Sequence, residues 1–156
     1  SLNENKNTGI YQKNQLKKML SIVKKYGKLS KEHNGDYLTN NLIRSKFQLG
    51  LDAINIAPEF GQIETRVFLN EIKNNNRSDL FEKYYQICFK SNKWKKWVNS
   101  EFNPEANKEN LINICGHYVL SNKSFIDEIK NEFPDIDRKI KINIEKKISD
   151  LLEFIL

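Results

Sequence analysis

Lys28-Leu29-Ser30-Lys31-Glu32-His33-Asn34-Gly35-Asp36-Tyr37 and, after a short helical run, Gly50-Leu51-Asp52-Ala53-Ile54-Asn55-Ile56-Ala57-Pro58-Glu59-Phe60-Gly61 decide how this chain is read. Residues 51–57 have the length and β-branched character of a buried strand. Pro58 cannot continue a central strand, Gly61 opens a turn, and a helical pattern follows. A strand, a polar loop and a helix thus occur in that order twice, at 28–47 and at 51–73. Two such units are the repeating piece of a parallel α/β fold, with strands near 28–34 and 51–57 adjacent and parallel. Chemistry in such folds sits at the carboxyl ends of the strands. His33, Asn34, Asp36, Asn55 and Glu59 fall there.

The chain of 156 residues is long enough for one domain with a real core. Its net charge of +6 comes from 22 Lys and only 4 Arg, beside 21 Asn. AT-rich coding sequence gives the same bias, so the charge alone does not argue for nucleic acid. Lys93-Trp94-Lys95-Lys96-Trp97 is the densest basic run, and most lysines read as a solvated helix face. A basic RNA-binding helical module is therefore the least favoured function. Cys88 and Cys115 are single thiols with apolar neighbours and no metal spacing, which suits a reducing compartment. No apolar run approaches the roughly 18 residues of a membrane span, and no signal peptide is visible. The expectation is a soluble cytoplasmic protein without a membrane partner.

Three regions follow from the pattern: a polar, frayed lead-in at 1–9, the βα units at 10–75, and a helical region at 76–156. Leu16, Met19, Leu20, Val23 and Tyr26 place a helix at about 12–26, closed by Gly27. Thr39 or Asn40 caps a helix carrying Leu42, Ile43 and Phe47. Ile63, Val67 and Ile72 define the next at about 62–73, with Glu64 in its first turn as a plain N-terminal acid. Ser78 or Asp79 caps a helix to about Lys90, with Leu80, Tyr84, Ile87 and Cys88 inward. Residues 91–104 are irregular and hold both tryptophans. Beyond Pro104 the pattern is wholly helical, interrupted at Pro134.

Glu32-His33-Asn34-Gly35-Asp36-Tyr37 gathers two acids, an imidazole and an amide, the donors and acceptors a sugar phosphate needs. His33 is a usable acid/base near neutral pH, with Asp36 beside it. The same residues also make an ordinary strand-end turn, in which Asn34-Gly35 supplies a positive φ. Asn55, in an apolar strand, either faces a pocket or serves a structural network. Trp94 and Trp97, with Lys93, Lys95 and Lys96, either bind a phosphate or an aromatic ring or anchor an irregular segment. His117 reads as a structural histidine. No glycine-rich phosphate loop, nucleophile elbow or zinc signature occurs.

Residues 32–37, 50–60 and 64–66 together resemble the second half of the D-tagatose-1,6-bisphosphate aldolase accessory-subunit family, formerly labelled tagatose-6-phosphate kinase. Its members carry a Glu-Ala-His-Ser-Thr-Asp-Tyr stretch. His33, Asp36 and Tyr37 match in place, while Asn34 and Gly35 replace Ser and Thr. Ala57-Pro58-Glu59 and Thr65-Arg66-Val67 stand where the family has a Gly-Pro-Ala strand end and a Leu-Arg-Glu helix core. The resemblance spans residues 10–156 and is tight over 29–67.

The resemblance implies a TIM barrel similar to class II aldolases. The expected fold is α/β, a partial TIM-barrel of two βα units followed by a helical C-terminal cap, mostly helical overall. A whole barrel takes about 250 residues, so the chain reads as the carboxyl-terminal part of one, or as a piece that pairs with another chain. The implied function lies in carbohydrate metabolism, as a class II aldolase-like lyase cleaving a carbon–carbon bond of a sugar phosphate. His33 and Asp36 are the catalytic candidates. Asn34, Asn55, Glu59, Lys93 and Lys96 are the substrate-binding ones. The resemblance also implies a divalent metal, zinc, with ligands outside this segment. The alternative is a non-catalytic accessory or assembly subunit, paired with an aldolase subunit or with copies of itself.

Overall fold

The computed structural model describes residues 2, 3 and 6–155, and these form two compact units. One comprises 1–59 with 147–156, the other 60–146. The boundary falls inside a helix, not after it, and the first unit is drawn from both ends of the sequence.

The first unit opens on two short strands, β1 (Leu2–Asn3) and β2 (Lys6–Asn7), paired antiparallel where a frayed lead-in was expected. α1 spans Lys13–Lys25. It ends at Gly27, whose φ of 60° suits a residue without Cβ, and the Lys28 N–H returns to the Val23 carbonyl at 3.1 Å. β3 (Lys31–Glu32) follows, then α2 (Asn40–Gln48), β4 (Ala53–Ile54) and the start of α3 (Pro58–Asn74). Thr39 caps α2, its Oγ1 accepting the Leu42 N–H at 3.3 Å. Leu20, Ile43, Leu51 and, from the end of the chain, Leu151 are the buried apolar residues of this unit.

β3 and β4 lie parallel, with Lys31 opposite Ala53 and Glu32 opposite Ile54. Each strand is only two residues long, and the described residues are mostly helical. The expected α/β partial TIM-barrel is therefore wrong: no barrel unit is present among the described residues. The physical reason is coverage. Parallel strands persist where both faces are buried, yet Asp52, Asn55 and Ala57 are exposed and Ala53 and Ile54 only half-buried. The backbone also turns immediately past β3, where Asn34 takes a φ of 59°. β4 has no room to lengthen because Pro58 already opens α3, four residues before the expected helix start. Proline suits a first helical position, since the N–H it lacks would have no helical partner.

The second unit holds the rest of α3, α4 (Ser78–Ser91), α5 (Lys108–Cys115), α6 (Lys123–Glu132) and α7 (Ile136–Ile155) as far as Lys146. Short 3-10 turns occupy Lys93–Trp97 and Gly116–Val119. Ser78 proves helical, so Arg77 takes the cap position of α4. Phe68, Tyr84, Leu111, Ile112, Phe125, Ile129 and Ile136 form one continuous core. Tyr84 is flanked by Phe125, with ring centroids 4.7 Å apart, and by the edge of Phe68 at 6.4 Å. Cys88 and Cys115 are free thiols inside this core. The neighbouring Cys115 and burial push the Cys88 thiol far above its ordinary range. No helix among the described residues is long and apolar enough to cross a membrane.

Candidate functional site

The turn after β3 is built from its backbone. Asn34 and Tyr37 both adopt a φ of 59°, and Gly35 lies between them, buried under Ile54. The Gly35 N–H donates to the Asn55 carbonyl at 2.8 Å and so continues the β3–β4 ladder past its formal end. Asn7 clamps the turn from β2, donating from Nδ2 to the carbonyls of Asn34 (2.8 Å) and Asp36 (3.0 Å).

Asp36 is 2% exposed, and one carboxylate oxygen, Oδ1, accepts the N–H groups of Ala57 and Glu59, each at 2.9 Å. Ala57 immediately precedes α3 and Glu59 lies in its first turn, where backbone N–H groups have no helical acceptor. Asp36 therefore caps α3 from a loop more than twenty residues upstream, and its negative charge faces the positive end of the helix dipole. Glu59 answers in kind: Oε2 accepts the Tyr37 N–H at 2.9 Å and Oε1 pairs with Lys147 at 2.7 Å. Asp36 and Glu59 thus share one network, as neighbouring strand ends require. His33, Asn34 and Asn55 remain exposed.

Lys46 is almost wholly buried and pairs through Nζ with both carboxylate oxygens of Glu32, at 2.6 and 2.9 Å. Its Nζ also lies 4.8 Å from the centre of the Tyr11 ring. The Tyr11 hydroxyl is itself buried and without a hydrogen-bond partner. Two cavities meet these residues. A small one, of about 90 Å³, reaches His33 and Asn34. A larger one, of about 370 Å³, runs along α1 and β3, walled mainly by Leu16, Met19, Leu20, Val23, Leu29 and Leu51. Sequence reasoning passed over Lys46 and Tyr11. The available signal was position: Lys46 lies three and four residues beyond Ile43 and Leu42, on the apolar side of α2.

Lys93 and Lys96 belong to the second unit. Trp94 is buried there, its Nε1 donating to the Phe89 carbonyl at 3.1 Å. Lys96 lies over the rings of Trp97 (4.5 Å) and Tyr118 (5.1 Å), and Lys93 is exposed. The His117 ring lies against that of Tyr118, centroids 4.0 Å apart and planes tilted by 41°, and its Nδ1 is buried without a partner. Burial, aided by the positive charge of Lys96, lowers the His117 pKa. The folded state therefore prefers neutral imidazole, while the unfolded chain takes up a proton first as pH falls. The resulting stability is present above the ordinary imidazole pKa of about 6.5 and is lost as pH drops through the depressed value. His117→Gln should unfold at urea midpoints that differ less between pH 7 and pH 5 than those of the parent chain. An unchanged difference would show that His117 is not the group responsible.

Among the described residues no three His, Cys, Asp or Glu side chains converge as a metal-binding group. Asp36 is engaged by backbone amides and His33 stands without a second ligand, so these residues do not by themselves fit a zinc site. No family, curated protein or solved structure matches the chain.

Proposed function

We propose that the chain acts in carbohydrate metabolism as a non-catalytic accessory subunit beside a sugar-phosphate aldolase. One observation carries this reading: every carboxylate next to the strand ends is already engaged. Glu32 holds Lys46, Asp36 holds the first turn of α3, and Glu59 holds Lys147 and the Tyr37 N–H. A general acid or base must reach the proton it moves, and these groups are tied to the protein's own structure. The resemblance over 29–67 supports the aldolase connection, and any divalent metal would take its ligands from the partner. A cytoplasmic setting suits both free thiols.

A second reading keeps the chain itself as the lyase or the sugar-phosphate-binding subunit, with His33, Asn34 and Asn55 at the pocket. It is favoured by the exposure of all three and by the small cavity at His33 and Asn34. Retro-aldol cleavage of a ketose bisphosphate separates the two. The accessory reading expects no cleavage by this polypeptide alone and a several-fold rise in the rate or lifetime of a class II aldolase catalytic subunit on mixing. Cleavage by the polypeptide alone, abolished in His33→Ala, would overturn it in favour of the second.

A further inference from the structure

We propose that α1 and the turn after it form a surface that lies on an anionic lipid bilayer. Met19, Ile22, Tyr26 and Leu29 enter the headgroup boundary, and Lys18, Lys25, Lys28 and Lys31 meet the lipid phosphates around them. The proposal does not depend on the aldolase reading. That no described helix is long and apolar enough to cross a bilayer excludes spanning, not lying on one face.

The charge is local. Residues 6–31 hold eight lysines and no acid, while the rest of the chain holds 18 basic and 20 acidic residues. The whole positive excess of the chain therefore sits in this stretch. A coding bias towards lysine would spread along the sequence and would not clear one segment of acids. The four acids of 32–59 are engaged: Glu32 with Lys46, Glu59 with Lys147, Asp36 with the start of α3, and Asp52 with Ser30.

The same stretch holds five of the eight large apolar residues that stand exposed among the described residues: Ile10, Met19, Ile22, Tyr26 and Leu29, the last 85% exposed. α1 turns Leu20 inward, with Leu16 and Val23 half-buried beside it. Met19, Ile22 and Tyr26 follow one another at three and four residues on the adjoining stripe, in water. Lys18 and Lys25 stand one turn before and one turn after Ile22 and border that stripe on its polar side. Met19 also shares a cavity wall with Ile10, Leu29 and Lys31, so the helix stripe and the turn are one surface. Lys13 and Lys17 lie on the other flank of α1 and Lys24 lies near Asp52, so these three add only longer-range attraction.

Apolar side chains rimmed by separate ammonium groups suit lipid. Hydrocarbon adapts to each protruding side chain, and mobile headgroups come to each point charge. The stretch has no arginine to grip a fixed phosphate in a bidentate fork. RNA would meet the lysines and stack on Tyr26 but leave Met19, Ile22 and Leu29 in water. An acidic protein would need fixed carboxylates at matching positions, which a fluid headgroup layer does not.

The test is flotation of the full chain with vesicles of phosphatidylcholine alone or mixed with phosphatidylserine. The chain should float with the mixed vesicles, not with phosphatidylcholine alone, and binding should fall as salt rises. Two double variants at exposed positions remove the two contributions separately: Ile22→Ser with Leu29→Ser, and Lys18→Gln with Lys25→Gln. Each should weaken binding about tenfold. Lys90→Gln with Lys123→Gln removes the same charge from exposed positions of the second unit and should leave binding unchanged. No flotation, full binding by the Ile22/Leu29 variant, or an equal loss in the Lys90/Lys123 variant would overturn the proposal. So would tighter binding to polyuridylate or polyglutamate that survives the two serine substitutions, which would assign the lysines to RNA or to an acidic protein.

Discussion

Asp36→Ala should cost about 3 kcal/mol of stability in the first unit. The estimate rests on two charge-assisted hydrogen bonds from partly buried backbone amides to a buried carboxylate, each worth about 1.5–3 kcal/mol, and on the loss of a helix cap. Alanine leaves the amides of Ala57 and Glu59 without their side-chain acceptor. Asp36→Asn keeps a carbonyl oxygen for the same two amides and loses only the charge, so it should cost about a third as much. Amide hydrogen exchange reads the effect where it occurs. The Ala57 and Glu59 protons should exchange on the order of a hundredfold faster in Asp36→Ala, since each 1.4 kcal/mol is a factor of ten. Unchanged exchange at both amides would show that the cap contributes nothing. The pair of variants also bears on chemistry: an Asp36→Asn protein that stays folded yet loses an activity would return Asp36 to the catalytic candidates.

Phe125→Ala should be the most damaging single change in the second unit, at about 3–5 kcal/mol. Phe125 is fully buried, packs against Tyr84 and sits in the first turn of α6. There the Asn122 side chain accepts its N–H at 3.1 Å, which fixes the backbone and limits how far the helix can move to fill the space. The cavity therefore stays largely open, and a cost at the upper end follows. Phe125→Leu keeps much of the volume and should cost about 1–1.5 kcal/mol. Trp94, buried in the same unit, gives a fluorescence signal for urea unfolding. A loss below about 1 kcal/mol in Phe125→Ala would mean that the core repacks freely.

The helices were legible because their cause is local. Leu16, Leu20 and Val23 recur at helical spacing on α1, and Thr39 precedes α2 with an oxygen its first turn can use. The barrel was a misreading of a different kind. Residues 51–57 have strand composition, but composition says nothing about whether helices will cover both faces, and Asn55 and Ala57 stand in water. Pro58 was read as the end of a strand when it is the start of a helix. The ambiguity was real, because proline suits both places and only the distant Asp36 decides between them. The candidate site divided along the same line. His33 and Asn34 lie where the turn chemistry puts them, whereas the engagement of Asp36, Glu59 and Glu32 depends on partners 14 to 88 positions away. No spacing rule marks a pairing such as Glu59 with Lys147.

That last pairing has a consequence for how the protein is made. Residues 60–146 are one uninterrupted run, so this unit has all of its own sequence as soon as it emerges from the ribosome. The first unit does not. Leu151, one of its few buried apolar residues, and Lys147, the partner of Glu59, are synthesised after the entire second unit. The amino-terminal segment must therefore wait, with its carboxylates and the groove along α1 incompletely supported, while the later residues are translated. Sequence-distant closure of this kind slows folding and prolongs exposure of apolar surface. In a nascent chain stalled before residue 147, the unit made second should resist protease first.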